Sequence, residues 1–213
     1  MSTEVAIVGI GMHEFGRTEG VSGMEQGVIA VRRACADAGV KWEDVQFAFG
    51  GSAAAGAADT MVSQLGLTGL QFINVANGCA TGGSALFSAY NTIRSGVFDL
   101  GIAIGFDKHE RGAFRVDTRG AGLGNWYGAS GLALTTQFFG MKINRYMHEY
   151  GISHSTLGKV SEKAFRNGSM NPMAWRRKPI SEQEALDSLM LSYPLTQYMF
   201  CSPGEGGVAL ILA

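Results

Sequence analysis

Cys79 stands where an apolar run, residues 71–75 (QFINV), gives way to Asn77-Gly78-Cys79-Ala80-Thr81-Gly82-Gly83 and then to a helical pattern. A cysteine at such a strand-to-helix turn is placed for nucleophilic chemistry. Flanking glycines permit the strained turn of a nucleophile elbow and let a substrate approach the backbone. The start of a helix offers the positive end of its dipole to a thiolate. Its N–H groups can receive the oxyanion formed when a thioester is attacked. On spacing alone, a small buried thiol at a helix start is an equally good reading.

Other residues carry weaker signals. Cys35 falls on the apolar face of a helix and reads as a core thiol. His109, in Asp-Lys-His-Glu-Arg, reads as part of a solvated charge cluster, and His148, in YMHEY, as a surface or partner-contact residue. Gly9-Ile10-Gly11 lacks the third glycine of a dinucleotide fingerprint, since Glu14 stands there, and no acidic residue follows the second strand. These glycines read as a turn. The stretch 120–134 (GAGLGNWYGASGLAL) sets Trp126 and Tyr127 in a glycine-rich loop suited to an acyl pocket or a subunit contact. Arg176-Arg177-Lys178 suits phosphates, although a solvated loop is the plainer reading.

The elements that must position these residues follow from pattern. Residues 4–10 (EVAIVGI) are expected to form a buried strand. Ser22-x-x-Glu25 is a capping box for a helix with Met24, Val28, Val31, Cys35 and Ala38 on one face, closed by Gly39. Further strands are expected at 45–49, 71–75 and 99–106, with a short helix capped by Asp59 at 59–65. A helix after Gly83 carries Ala85, Leu86, Ala89, Tyr90 and Ile93. The pattern loosens from 107 to about 134. Helices follow near 136–150 and 154–167, and another opens on the capping box Ser181-x-x-Glu184. The run 206–213 (GGVALILA) is a strand. Because so apolar a run closes the sequence, a longer chain is expected, of which this is the first part. Alternating strands and helices predict an α/β fold, a mixed and mostly parallel sheet with helices on both faces. Residues 1–106 and 201–213 would build it, and 107–200 would form an inserted loop subdomain.

Composition narrows the function classes. The 213 residues are 46% hydrophobic and 16% charged, which excludes disordered and fibrous chains. The 31 glycines, with 4 prolines and no triplet period, mark turns and close backbone contacts. With 17 basic against 18 acidic residues there is no electrostatic footprint for nucleic acid or an anionic membrane. Three scattered cysteines make neither a disulfide framework nor a zinc knuckle, so no metal is expected. No signal peptide or membrane-length run is present, and a cytoplasmic chain is expected.

The run 73–87 (INVANGCATGGSALF) closely resembles the nucleophile segment of thiolases, especially of the sterol-carrier-protein type. VAIVGIGMHEFGR, GIAIGFDKHERG, TTQFFGMKINRYMHEYG, MNP and CSPGEGGVALILA are similar too, and in the family's order. The resemblance implies a thiolase-like layered fold of two similar halves, of which this sequence would supply the first half and the loop subdomain. It sets the family nucleophile on Cys79, and Gly131 and Leu132 near the acyl pocket. Tyr127 matches, loosely, an aromatic of aldolase-type relatives. Cys201 becomes a turn residue without a chemical role. Gly78 is a departure, since the nearest relatives tend to carry Asn. The family's general-base histidine and second cysteine belong to the second half and find no match among His13, His109, His148 and His154.

The reaction so implied is attack by Cys79 on the 3-keto carbon of a 3-oxoacyl-CoA, cleavage of C2–C3, and passage of the acyl group to coenzyme A. Coenzyme A thioesters would be substrates, with no bound cofactor, and the acyl chain would be bulky, of lipid or steroid type. Two alternatives come with the resemblance: a retro-aldolase that cleaves a hydroxyacyl-CoA with a small OB-fold, zinc-ribbon partner subunit, and a non-catalytic subunit. Pairing of residues 71–75 with their copy would make a homodimer. Ala85, Leu86, Phe87, Ala89, Tyr90, Ile93 and Val97 surround much of their helix, which predicts burial on several sides and an unstable fold without a second half.

Overall fold

The computed structural model describes residues 4–112 and 114–213. In chain order come β1 (Ile7–Gly16), α1 (Gly23–Ala38), β2 (Phe47–Gly51), α2 (Val62–Leu65), β3 (Gln71–Asn74), α3 (Thr81–Arg94) and β4 (Gly101–Lys108). They are followed by α4 (Asn125–Ala129), α5 (Thr135–Tyr150), α6 (His154–Met170), α7 (Glu182–Asp187), β5 (Met190–Ser192), β6 (Leu195–Thr196) and β7 (Glu205–Leu212). Two compact units result: the chain up to His109 with Gly204–Ala213, and Glu110–Pro203.

In the first unit the strands lie in the order β1-β7-β4-β2-β3. β2 pairs parallel with β3 and β4, while β7 runs antiparallel to β4 and β1. Four strands therefore share one direction and β7 opposes them, so the sheet is mixed and mostly parallel. Side chains alternate across it with the period of a strand. Ala48, Ile102, Ile104 and Ile211 meet Val28, Val31 and Ala34 of α1. Their neighbours Phe47, Ala103 and Leu212 meet Ala85, Ala89 and Ile93 of α3 on the other face. Each large side chain so buried stabilises by about 1.5–3 kcal/mol. The Ser22–Glu25 capping box closes the start of α1, and Gly39 its end at φ 68°. Cys35 lies in this core, where burial first, and then the carboxylates of Asp44 and Glu43, push its thiol up.

Several elements depart from expectation, each for a physical reason. The first strand is an edge strand reaching to Gly16, with Val8 and Ile10 exposed. Gly9 and Gly11 lie inside it and make no turn, because α1 rests directly on the strand. A Cβ on Gly11 would stand 1.9 Å from the Ala30 carbonyl oxygen. Asp59 caps no helix: a 3-10 turn, Ala58–Met61, starts after Ala57, and the Asp59 carboxylate accepts from the Asn74 amide at 2.8 Å. α3 is no such departure: it buries one stripe, Thr81, Ala85, Ala89 and Ile93, and leaves a flank with Phe87 exposed, as the sequence predicts for the first half by itself, while Val97 lies beyond its end.

The second unit holds α4 to α7 and the antiparallel pair β5–β6, strands too short to leave a period in the sequence. Ser153 caps α6, and the Ser181–Glu184 box caps α7. Among the described residues no helix is long and apolar enough to cross a membrane.

A buried carboxylate fastens the start of β7. Glu205 pairs with Arg17 and Lys108 at 3.2 Å each and accepts from the Thr18 N–H at 2.8 Å and the Gln26 amide at 3.3 Å. Burial pushes its pKa up, but the Thr18 N–H, Lys108 and Arg17 outweigh burial and hold it below the ordinary carboxylate value. A group depressed on folding stabilises above its unfolded pKa, about 4.3 for Glu, and loses that contribution as pH falls through the folded value. Thermal melts across the acid range should show this loss. Glu205→Gln should flatten it and lower stability at neutral pH by about 3 kcal/mol, since it leaves two cations around a neutral group.

Candidate active site

Two neighbouring backbones fix the turn that carries Cys79. At the end of β2 the Gly50 carbonyl accepts the Val75 N–H at 2.8 Å. Gly51 lies so close that a Cβ there would stand 2.0 Å from the Val75 carbonyl oxygen and 2.6 Å from Cγ2 of Thr81. The chain then turns through a 3-10 segment, Gly78–Ala80, into α3. Gly78 has φ +51°, in the left-handed region that Gly adopts freely and Asn tolerates.

Thr81 ties the turn. Its buried hydroxyl accepts the Asn77 N–H at 2.9 Å and donates to the Gly78 carbonyl at 2.8 Å. The Asn77 amide donates to Ser84 Oγ at 2.8 Å, and the Ala80 N–H to the Asn77 carbonyl at 3.0 Å. Cys79 itself is exposed, so it is not a small buried thiol at a helix start. Beside it Gly82 and Gly83 are bare backbone, with nothing within 4 Å of a Cβ built on either. An exposed thiol on a doubly tied turn, at the head of a 14-residue helix, is accessible to an electrophile and held in place. Sequence reasoning passed over Gly51, Asn77, Thr81 and Ser84. The available signal was a hydroxyl residue at the head of a helix, where Ser and Thr bond nearby backbone.

Tyr127, Gly131 and Leu132 stand in the helical unit and share one turn. The Leu132 N–H donates to the Tyr127 carbonyl at 3.2 Å, and Gly131 has φ +84°. All three are half-buried. A cavity of about 760 Å³ in the same unit is lined by other residues, among them Phe139, Ile143, Tyr146, Leu157, Met199 and Cys201. Arg176 is less solvated than expected. Its guanidinium lies 5.5–5.9 Å from the rings of Trp175, Phe165 and Tyr198 and donates to Ser202 Oγ. Arg177 and Lys178 are exposed, and all three line a second cavity of about 650 Å³. Each histidine other than His148 has a local partner: Nδ1 of His13 the Glu14 carbonyl, His109 the Asp107 carboxylate, Nε2 of His154 the Pro194 carbonyl.

The family model of the thiolase N-terminal domain matches residues 5–178. The sequence is 30% identical to sterol carrier protein 2 of Bos taurus, over 100% of this chain and 42% of that protein. It is 28% identical to the benzoylsuccinyl-CoA thiolase subunit BbsB of Thauera aromatica, over 100% of this chain and 56% of that one. The solved Ltp2-ChsH2(DUF35) aldolase matches with a TM-score of 0.83 at 26% identity, over 98% of this chain and 55% of that chain. The chain thus spans about half the length of the relatives it matches.

Thr81→Val keeps the shape of the side chain and removes both of its hydrogen bonds. It should cost about 1–2 kcal/mol in a thermal melt and speed amide exchange at Asn77 by about tenfold or more. Gly51→Ala should cost about 1–3 kcal/mol, because its Cβ meets backbone that cannot rotate away.

Proposed function

The chain belongs to the thiolase family, and from that premise we propose that it serves acyl transfer between coenzyme A thioesters, with Cys79 as the nucleophile. The observation that carries this reading is the exposed thiol on its tied turn beside bare glycine backbone. The thiolate sulfur bonds to C3 of a 3-oxoacyl-CoA. The C2–C3 bond breaks, and its electron pair leaves as the enolate of the shorter thioester, which takes up a proton. The acyl group then passes from Sγ to the sulfur of a second coenzyme A. Proton transfer falls to groups beyond the histidines here, each of which is engaged locally or surface-exposed. Arg177 and Lys178 suit the phosphates of coenzyme A, and Tyr127, Gly131 and Leu132 remain proposed substrate contacts.

A second reading has its own support. The likeness to the Ltp2-ChsH2(DUF35) aldolase favours retro-aldol cleavage of a hydroxyacyl-CoA with a partner subunit of the DUF35 type. The thiol at position 79 favours the first.

Incubating the complete protein with an acyl-CoA and mapping the adduct by mass spectrometry should place the acyl group on Cys79. A label confined to Cys35 or Cys201 would overturn the assignment. Cys79→Ser should slow acylation by roughly a thousandfold, about 4 kcal/mol in the barrier, since a hydroxyl stays protonated where a thiol ionises. Cleavage of a hydroxyacyl-CoA only when a DUF35-type subunit is added, with no label on Cys79, would establish the aldolase reading instead. The edge strand β3 is proposed to pair with its copy in a homodimer, and sedimentation of the complete protein at micromolar concentration should show it.

A further inference from the structure

The sheet of the first unit has two edges, and they are treated differently. β3 is short and bare. The Gln71 and Val75 N–H groups bond inward to the carbonyls of Gln46 and Gly50, so by strand alternation those of Phe72 and Asn74 point outward. Among the described residues no side chain bonds either of these N–H groups. β1 is longer and carries exposed Ile7, Val8, Ile10 and Phe15. A long apolar edge of this kind is a template for pairing with another chain.

That edge is occupied by side chains from α1. The outward N–H of Ile10 donates to Oδ2 of Asp37 at 2.8 Å. Two residues on, the Met12 carbonyl accepts from the Arg33 guanidinium, which also pairs with the Glu14 carboxylate at 3.2 Å. Ile10 and Met12 are the positions whose backbone groups face away from β7, and a strand arriving at this edge needs both. Arg33 and Asp37 are one helical turn apart, so they lie on the same side of α1. Their reach follows from the missing Cβ atoms beneath. Gly9 and Gly11 let α1 settle so far onto β1 that a Cβ at either would lie 2.5 Å or less from a carbonyl oxygen of the helix.

We propose that Asp37 and Arg33 guard the β1 edge, closing it to strand addition by a second copy of this chain and confining such pairing to β3. The guard is independent of the catalytic reading. It predicts that without these two side chains β1 pairs antiparallel with β1 of another copy.

The test is sedimentation of the complete chain at several micromolar concentrations. Arg33→Ala with Asp37→Ala should raise the weight-average mass at least about twofold, reversibly on dilution. A parent already paired through β3 would then form longer, open-ended assemblies, and a monomeric parent would form dimers. Arg33→Lys with Asp37→Asn, which keep donor and acceptor, should sediment like the parent. Adding Ile10→Pro to the alanine pair removes the freed N–H at an exposed edge position, where proline is tolerated, and should restore the parent's mass. If the alanine pair melts without cooperativity, Asp37→Ala alone carries the same test. An unchanged mass in a cooperatively melting variant would overturn the guard. So would association that Ile10→Pro leaves intact, which would trace it to apolar patches rather than strand pairing.

Discussion

Backbone meets backbone between the layers of the sheet unit, and the rest of its structure depends on that contact. At Gly11 a strand lies against the carbonyl of Ala30 and at Gly207 against that of Gln26, both in α1, while at Gly51 the same kind of contact is made within the sheet, against the carbonyl of Val75. A single methyl group would force the helix layer outward at Gly11 or Gly207 and push neighbouring main chain aside at Gly51, and main chain cannot rotate aside as a side chain can. The close approach under α1 brings polar side chains of the helix over the rim of β1. The close approach at Gly51 pins the turn that presents Cys79. The turn of Cys79 and the rim of β1 are thus set by the same device at opposite ends of one sheet.

What the sequence disclosed was local. Capping boxes at Ser22 and Ser181 involve residues three apart, and Gly39 acts on the turn before it, so these helix limits were legible. The strand, turn and helix around Cys79 were legible because an apolar run, a small-residue turn and an apolar helix follow one another directly. The rest needed a third dimension. Glycine signals a turn and a close contact alike, so Gly9 and Gly11 read as a turn when they lay under a helix. Asp59 resembles a cap until Asn74, fifteen residues on, is found to hold it. Thr81 looked like one more residue of the nucleophile segment, and its pair of hydrogen bonds shows only once the turn is folded. Arg176 looked solvated because the rings around it, apart from Trp175, come from distant positions.

The two units stabilise themselves by different means. The sheet unit buries aliphatic side chains on both faces and fixes one carboxylate, Glu205, among two cations and a backbone N–H. Desolvating that carboxylate is offset because each of its oxygens has partners, which is what makes a buried charge tolerable. The helical unit leaves room among its aromatic and aliphatic side chains, with cavities of about 760 and 650 Å³.

The place of β7 orders events in time. It lies between β1 and β4 and is the partner that joins them, yet it leaves the ribosome after both of them and after the whole of the helical unit. Until then β1 has no neighbour, and its apolar residues wait uncovered while the contiguous helical segments, built on local contacts, are free to condense first. The helix α1 follows β1 directly, so a strand that stays single until β7 arrives emerges alongside the helix whose Asp37 and Arg33 bond its outer backbone groups.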